Sequence, residues 1–536
     1  MKKIGHLFIG AICLAAVGCA QISKVPLAQN FLSSSPAPAP ELLAEAMQQN
    51  NSLCWPEQDL IEGYQLTEVV DLWDRIRDGY GLPENDNKRI EQQLRWYAKH
   101  PDYMERVAQR GMPYLYHIVE ELQARDMPME FALLPIVESA FDPFAYSHGR
   151  ASGMWQFVPG TGKYLGLKQN WWYDGRRDIT ASTDAALLYL ERLGKLYDGD
   201  WLLALAAYNG GRGNVSKAIR RNKAVGKPTD FWSLDLPKET EAYVPRLLAL
   251  RALVGNPEHY NLSLLSIPNQ PFFQSIDVGS QIDLAQAAEL AEMSMDEFYL
   301  LNPGFNRWAT DPQGPHQLLV PIDKAELFAS NLASMPPHQR VTWDRYRIKS
   351  GDTLSTIAAS YKTSISALKA VNGLRSNIIR KGDVLMVPVA TQDNSHYTFS
   401  MDQRLAKTHA RANQSGNGRK ATYQVKSGDS FWTISRRYKV SVREVAKWNG
   451  MAPGDPLKIG QELVIWTDQP TAKSLASTSP DVVRKVAYRV RKGDSLARIA
   501  NRFRVTVKDI QDWNKLNPTA YLQPGQALTL FVDVTH

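Results

Sequence analysis

Three cysteines in 536 residues rule out a disulfide framework, and no Cys/His spacing of a zinc site is present. No His-Glu-x-x-His, P-loop or complete dinucleotide fingerprint occurs; Gly210-Gly211-Arg212-Gly213 lacks the Lys-Ser/Thr of a phosphate loop. No metal and no cofactor is therefore expected. The N-terminal apolar run, residues 4–18, falls short of the about 20 residues a membrane-crossing helix needs. Cys13 lies inside that run, Cys19 ends it, and Cys54 stands alone as a packed or inert thiol.

What is present reads as an ordinary globular chain, 44% hydrophobic and 22% charged, long enough for three or four domains. The net charge of +7 conceals an asymmetry. Residues 341–536 carry 31 Lys/Arg against 15 Asp/Glu, whereas the rest carries 31 against 40. A basic tail suits an anionic partner or is simply a solvated surface, and charge alone does not choose.

Met1-Lys2-Lys3 before the apolar run reads as a signal peptide over residues 1–18. The run ends Ala16-Val17-Gly18-Cys19, which resembles the lipobox of bacterial lipoproteins, with Ala16 where Leu is usual. The resemblance implies lipidation at Cys19; the alternative is a secreted protein cut nearby. Ala20 in place of Asp favours the periplasmic face of the outer membrane. Residues 19–55 then form the lipidated start and a tether, with Ser33–Pro40 (SSSPAPAP) semi-extended.

The second half repeats itself. Tyr346…Gly351-Asp352-Thr353, Tyr423…Gly428-Asp429-Ser430 and Tyr488…Gly493-Asp494-Ser495 each reach an Asn, at 372, 449 and 514, 21 residues after the Gly. Alternating Tyr-x-Val/Ile, a Gly-Asp turn, two helical stretches and a closing apolar run predict strand, helix, helix, strand over 344–389, 422–466 and 486–531. These units resemble LysM modules, which implies binding of N-acetylglucosamine-containing glycans. By that resemblance Asp352, Thr353, Asn372, Asp429, Ser430, Asn449, Asp494, Ser495 and Asn514 lie near the sugar groove; as residue types they also suit caps and turns. A degenerate copy is expected over 270–325, without the Gly-Asp-Thr turn. Basic polar stretches, about 391–421 and 467–486, predict linkers between independent modules.

The first half reads as helical, with an N-terminal region over 56–110 and a larger domain over 111–265. In Leu133-Leu-Pro-Ile-Val-Glu138-Ser139 an acid ends an apolar helix, with a kink expected at Pro135. Burial there would raise the pKa of Glu138 and let it act as a proton donor near neutral pH. A lone Glu of this kind is more often a surface or capping residue.

Context changes the weight. Ala145-x-Ser147, Ala151-x-Gly153-Met154-Trp155-Gln156-Phe157, Ala206-Ala207-Tyr208-Asn209-Gly210 and Glu239-Thr240-x-x-Tyr243-Val244 follow in order. The set, over roughly 110–255, resembles the lytic transglycosylase domain related to goose-type lysozyme, with Arg150 where that family usually has Gly. The resemblance implies a multidomain protein: a mostly α-helical lysozyme-like catalytic domain followed by small α+β modules. It implies Glu138 as the catalytic acid/base and Ser139, Met154, Gln156, Tyr208, Asn209 and Tyr243 as substrate-binding residues. Trp201–Tyr208 is also a plausible core helix stopped by Gly210.

With one acid in such a motif a substrate-assisted route fits, and the resemblance implies a lyase reaction on peptidoglycan that closes a 1,6-anhydro ring on the muramic acid. Two other readings stand beside it: a muramidase using water, with Asp142 or Asp174 as base, and a non-catalytic wall-binding lipoprotein. Asp178 reads as the cap of a helix over Thr180–Leu190, with Arg177 as its local partner. The expected partners are peptidoglycan glycan strands and, through the anchor, the outer membrane. Nucleic acid is not expected, and protein partners are unspecified.

Overall fold

A computed structural model of the chain describes residues 71–147, 149–415, 419–467 and most of 483–533. Cys13, Cys19, Cys54, the signal segment, the tether, residues 56–70 and most of the second expected linker lie outside the described residues. Among the described residues two compact units emerge: 71–415 with 423–464, and 419–422 with 465–533.

The first unit begins with helices α1 (Leu72–Asp78), α2 (Lys88–Ala98) and the long α3 (Pro101–Gln123). Asp71 and Asn87 cap the first two through backbone N–H groups, and Pro101 opens the third. A 3₁₀ turn, Met129–Leu133, leads directly into α4 (Leu134–Ser139). Pro135 therefore sits in the first turn of α4, where its missing N–H costs nothing, and no kink follows.

Next come α5 (Pro159–Tyr164), α6 (Ile179–Leu196), α7 (Trp201–Gly210), α8 (Arg212–Ala224) and α9 (Lys238–Gly255). Asp178 caps α6 by accepting from Ala181 N at 2.7 Å, as its sequence position suggests. Arg177 turns away from it: its guanidinium reaches Asp174, Pro303 O and Asn306, while Tyr173 Oη donates to Asp178. Helix α7 continues through Gly210 and stops at Gly211 (φ 81°). Gly210 serves packing instead, because a Cβ there would lie 2.6 Å from Thr240 Oγ1 on α9.

Helices α4, α7 and α9 build the centre: Ile136, Val137, Leu205, Ala206, Ala207, Tyr243 and Leu247 are fully buried. Glu130, also fully buried, accepts from Gly81 N, Leu82 N and Arg251 Nε at 2.9 Å each, tying the α1–α2 loop to α9.

Strand β1 (Phe273–Asp277), α10 (Leu284–Leu290), α11 (Met295–Leu301), β2 (Gln317–Pro321) and α12 (Ile322–Ser334) follow, with β1 antiparallel to β2. The first repeat is β3 (Thr342–Arg347), α13 (Leu354–Ser360), α14 (Ile365–Val371) and β4 (Val384–Val389), with β3 antiparallel to β4. Helix α15 (Met401–Ser415) precedes the second repeat, β5 (Arg419–Gln424), α16 (Phe431–Tyr438), α17 (Val442–Trp448) and β6 (Glu462–Thr467).

The stretch expected to be a linker at 391–421 is largely packed structure. Tyr397 is fully buried and its hydroxyl donates to Asp283 at 2.9 Å; Phe399 stacks on Phe144 at 4.9 Å. Helix α15 is anchored by Met401 N to Asn306 O (2.8 Å) and by Arg307 to Asp402 (2.7 Å). Two buried aromatics and the Arg307–Asp402 ion pair help hold a segment whose polar composition suggested a spacer. The first repeat is tied in as well, Trp172 Nε1 donating to Ser364 and Trp308 Nε1 to Lys362 O.

The second unit contains the third repeat: β7 (Val483–Arg489), α18 (Leu496–Phe503), α19 (Val507–Asn514) and β8 (Ala527–Asp533), with β7 antiparallel to β8. Among the described residues no helix is long and apolar enough to cross a membrane.

Candidate active site

Helix α4 ends because Ala140 and Phe141 both take positive φ, 53° and 56°. That abrupt stop leaves Glu138 in the last turn, turned into protein and only 4% exposed. Tyr243, fully buried on α9, donates its hydroxyl to Glu138 Oε1 at 2.6 Å. Burial pushes the Glu138 carboxyl up to about 8; Tyr243 opposes the rise, Glu239 adds to it and Arg246 opposes it. A carboxylic acid in this state holds its proton near neutral pH and can deliver it to a leaving-group oxygen.

Below α4 lies a tongue, residues 144–157, closed by Gly153 N to Ala145 O (3.0 Å) and Ser152 N to Phe157 O (3.1 Å). Gly153 is required there: its φ is 83°, and a Cβ would lie 2.0 Å from Arg176 O. Arg176 clamps the tongue from beneath, donating to Arg150 O and Phe157 O.

The residues the sequence grouped around the acid are brought together, in roles more structural than expected. Ser139 Oγ donates to Met154 O at 3.0 Å, so its hydroxyl fastens α4 to the tongue. Met154 is 1% exposed. Gln156, half-buried with φ 49°, folds its amide back onto Gly153 O at 2.9 Å. Tyr208 donates to Trp155 O at 2.9 Å, and Asn209 accepts from Thr240 Oγ1 at 2.9 Å, so α7 is pinned to the tongue and to α9.

The two alternative bases are occupied elsewhere. Burial disfavours the Asp174 anion, but Arg177 and Arg176 outweigh it and hold the carboxyl below its usual range. Asp142 accepts from Phe144 N at 2.8 Å in a turn, and burial raises its pKa against Arg110 and Arg404.

The carboxylate that does act on Glu138 electrostatically is Glu239, which sequence reasoning passed over. It is half-buried, raised to about 7 by burial against the pull of Arg246, and its Oε1 has no hydrogen-bond partner among the described residues. Arg246 Nε and Nη1 are likewise buried without a partner there. The signal was available: Glu239, Tyr243 and Arg246 are spaced i, i+4, i+7, one face of α9. Among the described residues no cluster of metal-ligating side chains occurs.

In the repeats the nine residues expected near the sugar groove make internal hydrogen bonds, in keeping with the cap and turn roles their residue types also suit. Asp352, Asp429 and Asp494 each accept from a Tyr hydroxyl and a backbone N–H three residues back. Thr353, Ser430 and Ser495 cap helices through Thr356 N, Thr433 N and Arg498 N. Asn372, Asn449 and Asn514 clasp the preceding helix and the closing strand, each bonding both N–H and C=O of one strand residue: Met386, Val464 and Thr529. Asn302 makes the same clasp on Leu319, so the degenerate copy keeps the repeat's central device without its Gly-Asp turn.

Comparison with known proteins agrees with this arrangement. Residues 116–231 match the Transglycosylase SLT domain, and 272–337 match the Lytic transglycosylase MltD, LysM-like domain. Residues 346–388, 423–466 and 488–531 each match the LysM domain. A putative tributyltin chloride resistance protein from Alteromonas sp. (strain M-1) is 40% identical over 159 residues, 30% of this chain and 76% of its own. The probable peptidoglycan endopeptidase LytE of Bacillus subtilis (strain 168) is 33% identical over 176 residues, 32% of this chain and 45% of its own. The membrane-bound lytic murein transglycosylase D of Escherichia coli (strain K12) is 36% identical over 527 residues, 97% of both chains. With end-to-end coverage at that identity, and the SLT and LysM domains in order, the chain belongs to the membrane-bound lytic murein transglycosylase D family.

Proposed function

We propose that Glu138 is the acid/base of this lytic transglycosylase and that the bond cut is the β-1,4 link from N-acetylmuramic acid to N-acetylglucosamine. Glu138 protonates the glycosidic oxygen, and the substrate's acetamido group stabilises the cation developing at C1. The resulting carboxylate, steadied by the Tyr243 hydroxyl, takes the proton of the muramic acid C6 hydroxyl. That oxygen closes on C1, leaving a 1,6-anhydro end and consuming no water. Ser139, Met154, Gln156, Tyr208 and Asn209 act by holding the tongue and α7 around the acid.

The carrying observation is the buried Glu138 bonded to Tyr243, with a pKa near 8. The engagement of Asp142 and Asp174 in turns and ion pairs supports a single-acid route. The test is mass spectrometry of muropeptides released from purified peptidoglycan by the wild type and by Glu138→Gln. Anhydro ends from the wild type alone are expected. Reducing ends would overturn the lyase route and point to Glu239 as a water-activating base.

The domain divisions are read as 111–265 for catalysis, 270–325 for the degenerate LysM-like region, and 344–389, 422–466 and 486–531 for the repeats that hold wall glycan. Anchoring through a lipid on Cys19, at the periplasmic face of the outer membrane, rests on the lipobox-like end of the leader. Mass analysis of the mature N-terminal peptide, with Cys19→Ala as control, checks it.

A further inference from the structure

Arg150 is a non-glycine residue held at a φ of 72°, in the left-handed region. A side chain at such a φ is strained unless its surroundings compensate. Its side chain meets the second LysM repeat as an ion pair. Arg150 Nε lies 2.6 Å from Asp455 Oδ1, and Tyr146, on the same tongue, donates its hydroxyl to Asp455 at 2.9 Å. Asp455 is set for this by its own turn, where Ala452 N donates to it at 2.8 Å.

A second, separate contact holds the same repeat. Helix α15 is fixed to the degenerate LysM-like region through Asn306 and Arg307, and His409 on it meets Asn449, the clasp residue of the repeat, at 3.0 Å. The repeat is therefore held at two points. One of them is the tongue whose Met154 carbonyl receives Ser139, the neighbour of Glu138.

We propose that Tyr146 and Arg150 form a docking surface for the second LysM repeat, and that Asp455 is a positioning residue which aligns glycan held by that repeat with the catalytic cleft. A repeat fixed beside the cleft raises the local concentration of the strand to be cut, with no new contact at the reacting bond. The clasp therefore acts on polymeric substrate and not on a fragment short enough to occupy the cleft alone. This rests on the assignment of Glu138 and its cleft above.

The test uses the full chain and compares Asp455→Arg, Arg150→Asp and the double exchange on purified peptidoglycan and on a GlcNAc–MurNAc tetrasaccharide. Each single reversal is expected to raise KM on peptidoglycan by about tenfold with kcat unchanged, and the double exchange to restore most of it. Arg150→Gly, which removes the ion pair while relieving the backbone, is expected to raise KM in the same way. Turnover of the tetrasaccharide stays at the wild-type level in all four variants. Unchanged KM on peptidoglycan, purely additive effects in the double exchange, or an equal loss on the tetrasaccharide would each overturn the alignment. Failure of the wild type to form anhydro ends from either substrate would overturn the assignment of the cleft instead.

Discussion

The hydroxyl of Tyr243 donates to Oε1 of Glu138 across 2.6 Å, joining residues 105 positions apart on α9 and α4. The bond favours the carboxylate, while burial of the same group favours the acid. The balance leaves a proton that is held near pH 7 and can still be given up.

Tyr243→Phe removes the donor and leaves the burial. The Glu138 pKa then rises, so the alkaline limb of the rate against pH moves above its wild-type position near pH 8. At neutral pH kcat is expected to fall by about tenfold or more, because the carboxylate formed in the first step loses its hydrogen bond. A pH–rate profile on peptidoglycan checks both.

Glu239→Gln shifts the same limb the other way. The Glu239 anion raises the Glu138 pKa, so neutralising it lets that pKa fall and the alkaline limb moves to lower pH. The opposite signs of the two variants, in one set of profiles, separate electrostatic tuning from general damage to the cleft.

Stability carries the same imprint. The folded-state pKa of Glu138 is raised from 4.5 to about 8, so the folded protein binds more protons than the unfolded chain between those values. Stability is thus lost as pH rises from about 4.5 to about 8, and the penalty is absent below that window. Glu138→Gln escapes the penalty. Its Tm is expected to exceed that of the wild type by about 3 °C or more at pH 8 and to approach it at pH 4.5. Calorimetry at the two pH values decides.

Gly153→Ala would set a Cβ 2.0 Å from Arg176 O at a φ of 83°. The tongue must move, and its Met154 carbonyl carries Ser139 with it. A loss of about 2 kcal/mol or more in stability and at least about tenfold in anhydro-product release is expected.

Asn449 is 1% exposed and bonds both the N–H and the C=O of Val464. Asn449→Ala strands that buried pair and should cost the second repeat about 2–3 kcal/mol. Limited proteolysis is expected to cut residues 423–464 first in this variant while the SLT domain stays intact.

The sequence alone determined whatever rests on neighbours along the chain. The spacing from Gly-Asp-Thr/Ser to Asn marked the three repeats, because turn, cap and clasp lie within one short unit. Asp178 was legible as a cap because capping needs only the next turn of helix. Four ordered motifs located Glu138, since each is a local string.

Tertiary structure decided what depends on residues distant in sequence. The pKa of Glu138 is raised by its burial in the closed core and then tuned by Tyr243, Glu239 and Arg246 of α9, about a hundred residues away. The string does not tell that Ser139 on α4 bonds Met154 on the tongue or that Asn209 on α7 bonds Thr240 on α9, because those partners meet only in the folded chain. The polar stretch 391–415 lacks the periodic apolar face that announces a packed helix, and two buried aromatics, Tyr397 and Phe399, seat it all the same. Burial is a sum over the whole neighbourhood, so it is fixed only once the chain has closed on itself.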